Sequence, residues 1–359
     1  MGCVPSSNRD LRSPPNETIE EELKRTKKEL ASTFKTLMLG PGESGKSTIV
    51  RQMRILYSRP YSKGERERLK EIVYGNTLQS AQAVINGFDA ADVAFPEKLR
   101  DDSDYLLSLA PEDATDVVTG AFKPSIVRAI QSLMSDPASQ EVVRNSSRFQ
   151  LNDSATYFFN DLARISSPTY LPTDQDILRT RVRSTGIREE RFEVEGTNLL
   201  TIDVGGQRSE RKKWMHLFED CKLVIFVAAI SEYDQFLYED EAQPRMSETL
   251  MLWESIATSP WLKKASFVLF LNKRDLLEEK IRANPDSVRT WLVDYTGPPT
   301  DVEAIKHYFL VRFTGLHRNK ERSLFTSFTC ATDTNTMKPI LAGVMQAVLE
   351  SSLTQAGLL

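Results

Sequence analysis

The stretch TFKTLML-GPGESGKS-TIVRQMRIL, residues 33–56, decides how the rest of the chain is read. Residues 33–39 have the short apolar character of a buried strand. Residues 48–56 carry apolar side chains at helical spacing. Between them, Gly40-Pro41-Gly42-Glu43-Ser44-Gly45-Lys46-Ser47 fits G-x-x-x-x-G-K-[ST]. Glycines allow backbone N–H groups to curl around phosphate oxygens. Lys46 adds a point charge for β- and γ-phosphates, and the Ser47 hydroxyl is a ligand for Mg²⁺. A helix starting where the phosphates would sit favours anions at its N-terminus. Glu43, Ser44, Gly45, Lys46, Ser47 and Thr48 are therefore the expected phosphate-side residues. This loop alone does not separate GTP from ATP.

Three further pieces follow strand-like runs. After 265–271 (ASFVLFL) come Asn272, Lys273, Arg274 and Asp275. The Asp275 carboxylate can accept from both N–H groups on guanine's Watson–Crick edge, where adenine offers a ring acceptor instead. Asn272 can bridge the base and the phosphate loop, and the Lys273 stem can cover the base. After 198–202 come Asp203, Val204, Gly205, Gly206 and Gln207. An acid at a strand end can hold Mg²⁺ through water, the Gly206 N–H can approach a γ-phosphate, and Gln207 can orient an attacking water. After 324–328 comes T-C-A-T, in which the Ala331 N–H could read guanine O6. Ligands of open α/β sheets bind at such strand ends.

Composition sets the outer bounds. The 359 residues suggest about two domains. Net charge is −4, which argues against a nucleic-acid-coating protein. The apolar run at 223–230 is far short of the ~20 residues of a membrane span. Cys3, Cys221 and Cys330 are too scattered for a disulfide framework or zinc site, and His216, His307 and His317 do not cluster with them. A soluble protein of a reducing compartment is expected. The N-terminus, MGCVPSSNRD, has no apolar core of a signal peptide. It fits M-G-x-x-x-S, so Gly2 is a candidate for myristoylation and the adjacent Cys3 for palmitoylation. Two chains make a stable anchor where one is marginal. Residues 16–30 follow Pro14-Pro15 and place Ile19, Leu23 and Leu30 on one helical stripe. That stripe needs a partner, a membrane or its own domain.

Taken together, the motifs resemble those of heterotrimeric G-protein α subunits over nearly the whole chain. The resemblance rests on G-x-G-E-S-G-K-S-T at 40–48, L-R-T-R-V at 178–182, D-V-G-G-Q-R-S-E-R-K-K-W at 203–214, N-K-R-D at 272–275 and T-C-A-T at 329–332. It implies an α/β fold: a Ras-like P-loop GTPase domain (33–60 and 178–359), an inserted all-helical domain (61–177) and a lipidated N-terminal segment with a helix (1–32). The residues of the insert agree, since Leu69, Ile72, Val73, Val84, Ile85 and Phe88 share one helical face, as do Ile126, Val127, Ile130, Leu133 and Met134. By resemblance, Asp153 and Ser154 contact the nucleotide from the insert, and Leu178, Arg179, Thr180 and Arg181 line the cleft.

Arg179, Arg181 and Arg183 are alike by type; the family pattern makes Arg181 the built-in arginine finger beside catalytic Gln207. It makes Ser184 the second Mg²⁺ ligand with Ser47. The implied ligands are GTP/GDP and Mg²⁺. The implied partners are a βγ dimer, a seven-transmembrane receptor, an effector and a GTPase-accelerating regulator, at the cytoplasmic face of the plasma membrane. The 355–359 tail resembles the receptor-reading end. Arg208, Arg211, Lys212 and Trp214 are expected on a partner surface that the switch exposes or hides. The chain departs from the family at Pro41, where Ala is usual, and at Ser184, where Thr is usual.

Overall fold

A computed structural model describes residues 33–182, 184–194, 196–237, 239–319 and 322–355. Gly2, Cys3, the 16–30 stripe, Arg183 and the last four residues of the tail lie outside these.

Strand β1 (Phe34–Leu39) leads through the glycine loop into helix α1 (Lys46–Tyr57). The chain then leaves for a helical block: α2 (Lys63–Ala91), α3 (Arg100–Leu107), α4 (Pro124–Ser135), α5 (Pro137–Arg144), α6 (Ala155–Asn160), α7 (Leu162–Ile165) and α8 (Asp174–Arg179). It returns as the hairpin β2 (Ile187–Val194) and β3 (Thr197–Val204), then β4 (Leu223–Ala229) and the small hairpin β5 (Phe236–Leu237) and β6 (Asp240–Pro244). The remainder is α9 (Arg245–Ala257), β7 (Ser266–Asn272), α10 (Arg274–Ala283), α11 (Asp286–Trp291), α12 (Val302–Gly315), β8 (Leu324–Phe328) and α13 (Thr334–Gln355).

The main sheet has the order β2-β3-β1-β4-β7-β8. Only β2 runs antiparallel to its neighbour; the other pairings are parallel. Every residue of β4 and β7 is buried, as parallel strands covered on both faces must be. Alternation along β1 sorts the core into two layers. Leu37 and Leu39 join Phe226, Trp253, Phe267 and Phe309 on one face. Met38 joins Ile49, Met53, Ile225, Phe270 and Met337 on the other. The C-terminal ends of β1, β3, β7 and β8 therefore open on one edge, and all four motif loops leave from there.

The helical block has its own core, built around α2. Ser62 and Glu65 close a reciprocal capping box at its start. Val73, Val84, Ile85 and Phe88 are buried as expected, but so is the whole run from Val73 to Leu78, because α2 is wrapped by helices on several sides. Leu69 and Ile72 are only half-buried. In α13, Met337, Leu341, Met345 and Val348 sit in the core, while Ile340 and Val344 pack at its margin.

Candidate functional site

The phosphate loop takes its shape from backbone conformations that glycine reaches most easily. Gly45 has φ +102°, and a Cβ there would lie 2.2 Å from Asn272 Nδ2. That close approach lets the Asn272 amide donate to Ser44 O at 2.9 Å, tying the loop after β7 to the loop after β1. Lys46 is buried, and its ammonium donates to Gly40 O (3.0 Å) and Pro41 O (2.7 Å). Burial, more than any neighbouring charge, brings its pKa down to about 8. Gly206 faces this ammonium; a Cβ at that position would meet Nζ at 2.4 Å and Pro41 O at 2.5 Å. Thr48 lines the cleft one turn along.

Beside the loop, Ser47 Oγ donates to Asp203 Oδ2 at 2.7 Å and lies 2.7 Å from Ser184 Oγ. Asp203 Oδ1 is buried with no partner among the described residues. Two hydroxyls and a carboxylate with one oxygen unspent are the hard oxygen donors that suit Mg²⁺. Gln207 borders the same cleft, and its Oε1 is likewise without a partner. Val204 belongs to the core, and Gly205 O accepts from Trp214 Nε1 at 3.1 Å.

Arg181 enters from the return segment after α8. Its backbone is held at both ends by one side chain: Arg181 N–H donates to Asn76 Oδ1 (2.7 Å), and Asn76 Nδ2 donates to Arg181 O (3.0 Å). Its guanidinium pairs with Glu43. Arg179 lines the cleft and lies over the Tyr157 ring, 4.6 Å from its centroid. Leu178 and Thr180 are buried.

At the other end, the buried Asn272 Oδ1 accepts from Thr329 Oγ1 and from Ala331 N–H, both at 3.0 Å. The Ala331 N–H, expected to face a base, is thus engaged by Asn272, the residue that also anchors the phosphate loop. Asp275 lies in the first turn of α10, next to Arg274, and borders the cleft. Lys273 Nζ bridges Asp153 (2.7 Å) from the helical block and Glu232 (2.6 Å). Burial opposes its charge, but Asp153 and Glu232 outweigh that and raise its pKa. Ser154, beside Asp153, is buried.

A cleft of about 940 Å³ joins these pieces, walled on one side by the sheet-edge loops and on the other by Gln79, Asn86, Gln150 and Asp153. An alternating chain of charge crosses its mouth: Arg181, Glu43, Arg245, Glu232, Lys273, Asp153. Arg245 also donates to Gln150 Oε1 at 2.8 Å. Burial pushes the Glu43 carboxyl up, but Arg181, Arg245 and Lys273 together hold it below its ordinary value. Glu43, expected as a phosphate-side residue, is therefore committed to two arginines.

The surface expected beyond Gln207 differs. Trp214 is 2% exposed, a core residue rather than a surface anchor, because its indole N–H has a carbonyl partner indoors. Arg208 and Arg211 converge on the buried Glu248, at 3.0 and 2.5 Å. Glu248, Arg245, Glu232, Gln150 and Asn76 belong to no contiguous motif, and sequence reading passed them over.

The sequence model of the G-protein alpha subunit matches residues 13–348. The chain belongs to that family. It is 40% identical to a guanine nucleotide-binding protein subunit alpha of Sporothrix schenckii, with all of both chains covered. It is 42% identical to the corresponding protein of Coprinellus congregatus and 39% identical to the alpha-1 subunit of Neurospora crassa, again over the full length of each. Members of the G-alpha family are GTPases that bind GTP and GDP, and this chain is one of them. The α/β sheet with its block of helices is the architecture that membership implies. No helix among the described residues is long and apolar enough to cross a membrane.

Proposed function

We propose that the cleft holds GTP with Mg²⁺ between the Ras-like and helical parts, and that hydrolysis there times a signal. The observation that carries this reading is the convergence of Ser47, Ser184 and Asp203 oxygens beside the Lys46 ammonium. Mg²⁺ at those oxygens would offset charge on the β- and γ-phosphates. Lys46 and the loop N–H groups hold the phosphates, Gln207 orients water, and Arg181 moves from Glu43 to the charge that develops between the β- and γ-phosphates. Asp275 selects guanine, with Asn272 and Ala331 closing the base end. Loss of the γ-phosphate releases Ser184 and Gly206 together, an order–disorder switch in the two flanking loops.

In this reading the GTP state engages an effector and the GDP state a βγ dimer, under a seven-transmembrane receptor and a GTPase-accelerating regulator. Gly2 and Cys3 carry lipids that hold the protein at the cytoplasmic face of the plasma membrane. The test of the nucleotide chemistry is phosphate release from GTP and ATP with and without a Mg²⁺ chelator. GTP alone should be hydrolysed, and chelation should stop it; equal turnover of ATP would end the reading.

A further inference from the structure

Ahead of Arg181, the return segment is fastened to the phosphate-loop helix by a guanidinium. Arg51 lies on α1, four residues beyond Ser47. Its Nη1 donates toward Ile177 O (3.0 Å), Thr180 O (2.7 Å) and Thr180 Oγ1 (3.1 Å), across 126 and 129 positions of sequence. Those acceptors belong to the last turn of α8 and to the residue immediately before Arg181. Ile177 O also accepts from the Thr180 N–H and hydroxyl, so Arg51 adds a bond there and supplies a donor to Thr180 O. The donor comes from the helix that follows the phosphate loop, far away in sequence. The bonds are sheltered: Ile177 and Leu178 are 1% exposed and Thr180 is 4% exposed. Bonds from an ionised donor are roughly twice as strong as neutral ones. Asn76 meanwhile holds the Arg181 backbone from the helical side.

We propose that Arg51 is a positioning residue: it locks the α8–Arg181 segment to the helix that carries the phosphate loop, and so fixes where the Arg181 guanidinium reaches. This rests on the reading of Arg181 as the finger. The lock acts on hydrolysis through Arg181 and on nucleotide release through the seam that the segment closes. A lysine at position 51 would supply a point charge in place of the planar fork, and would hold the same carbonyls less specifically.

The test is single-turnover GTP hydrolysis by the full chain carrying Arg51→Met or Arg51→Lys, each alone and combined with Arg181→Ala, with bound nucleotide measured in every case. Arg51→Met should lower turnover about tenfold and speed GDP release, and Arg51→Lys should do less, about threefold, as expected when one or two charge-assisted bonds are lost. In the Arg181→Ala background neither substitution should lower turnover further. An equal loss in both backgrounds, or no loss in either, would overturn the proposal while leaving the finger in place. If Arg181→Ala alone keeps full turnover, the finger reading falls and the proposal with it. Should Arg51→Met fail to hold nucleotide, Arg51→Lys decides by the same comparison.

Discussion

The two walls of the cleft are built by different rules. The sheet-side wall comes from four loops, each leaving a parallel strand, and each loop carries its chemistry within about eight consecutive residues. The helical wall contributes single side chains, Asn76, Gln150 and Asp153, scattered along helices whose other residues form a core. The first wall is rigid because β4 and β7 are buried along their whole length. The second touches it through side-chain hydrogen bonds and an ion pair, at Arg245–Gln150, Lys273–Asp153 and Asn76 with the Arg181 backbone, and Glu43 and Glu232 extend the chain of charge on the sheet side. A seam of charges between two separately cored parts can part without unfolding either one. On the proposed reading, the sheet wall governs which nucleotide binds and the seam how long it stays.

The largest effect on binding should come from the sheet wall. Asp275→Asn exchanges a carboxylate for an amide that offers one acceptor and one donor, so guanine's two N–H groups lose half their partners. GTP affinity should fall about a hundredfold or more, and xanthosine triphosphate, with an acceptor in place of the amine, should gain. Competition binding reads both; unchanged guanine preference would mean that this wall does not choose the base.

Next comes the seam. Asp153→Ala leaves Lys273 with Glu232 alone. The Asp153 carboxylate is itself partly exposed, so the pair is well short of a buried one. GDP release should quicken about three- to tenfold with GTP selectivity intact. A change in selectivity would erase the distinction between the walls.

Acid should act at the same place more weakly. The Glu43 carboxyl is held below its ordinary 4.5 by Arg181, Arg245 and Lys273, which outweigh its burial. The unfolded chain therefore binds that proton more tightly. The stability Glu43 contributes is fully present above pH 4.5 and is lost as pH falls through its lower folded value. GDP release should rise a few-fold over that window, and Glu43→Gln should flatten the rise.

The smallest effect is expected at Ser184→Thr. The added methyl restricts the hydroxyl's rotamers, and the Mg²⁺ concentration that half-slows nucleotide release should drop about twofold. A rise would argue that Ser184 stands away from the ion.

How much of this could be read beforehand follows the same division. The strands before the four loops and the helix after the first were legible because they are short, apolar and bounded by glycine or by the motif itself. The insert was legible as helical, but the shared apolar face along α2 does not show that this helix is the centre of its core. Asn76 and Arg51 gave no signal, since their partners lie more than a hundred positions away. Glu43 lay inside the motif, yet nothing local tells that Arg181 and Arg245 converge on it. Trp214, in a run of charges, looked like a surface anchor until its indole N–H was seen to end on Gly205 O.

The most direct measurement compares single-turnover hydrolysis of bound GTP by the natural chain, Arg181→Cys and Gln207→Leu, at matched nucleotide occupancy. A built-in arginine finger, for which G-alpha subunits are themselves the reference case, is worth ~10³–10⁵ in turnover. All three proteins should bind GTP, with rapid phosphate release from the natural chain alone. Equal, slow release from all three would contradict the account and leave a GTP-loaded scaffold in place of a timer.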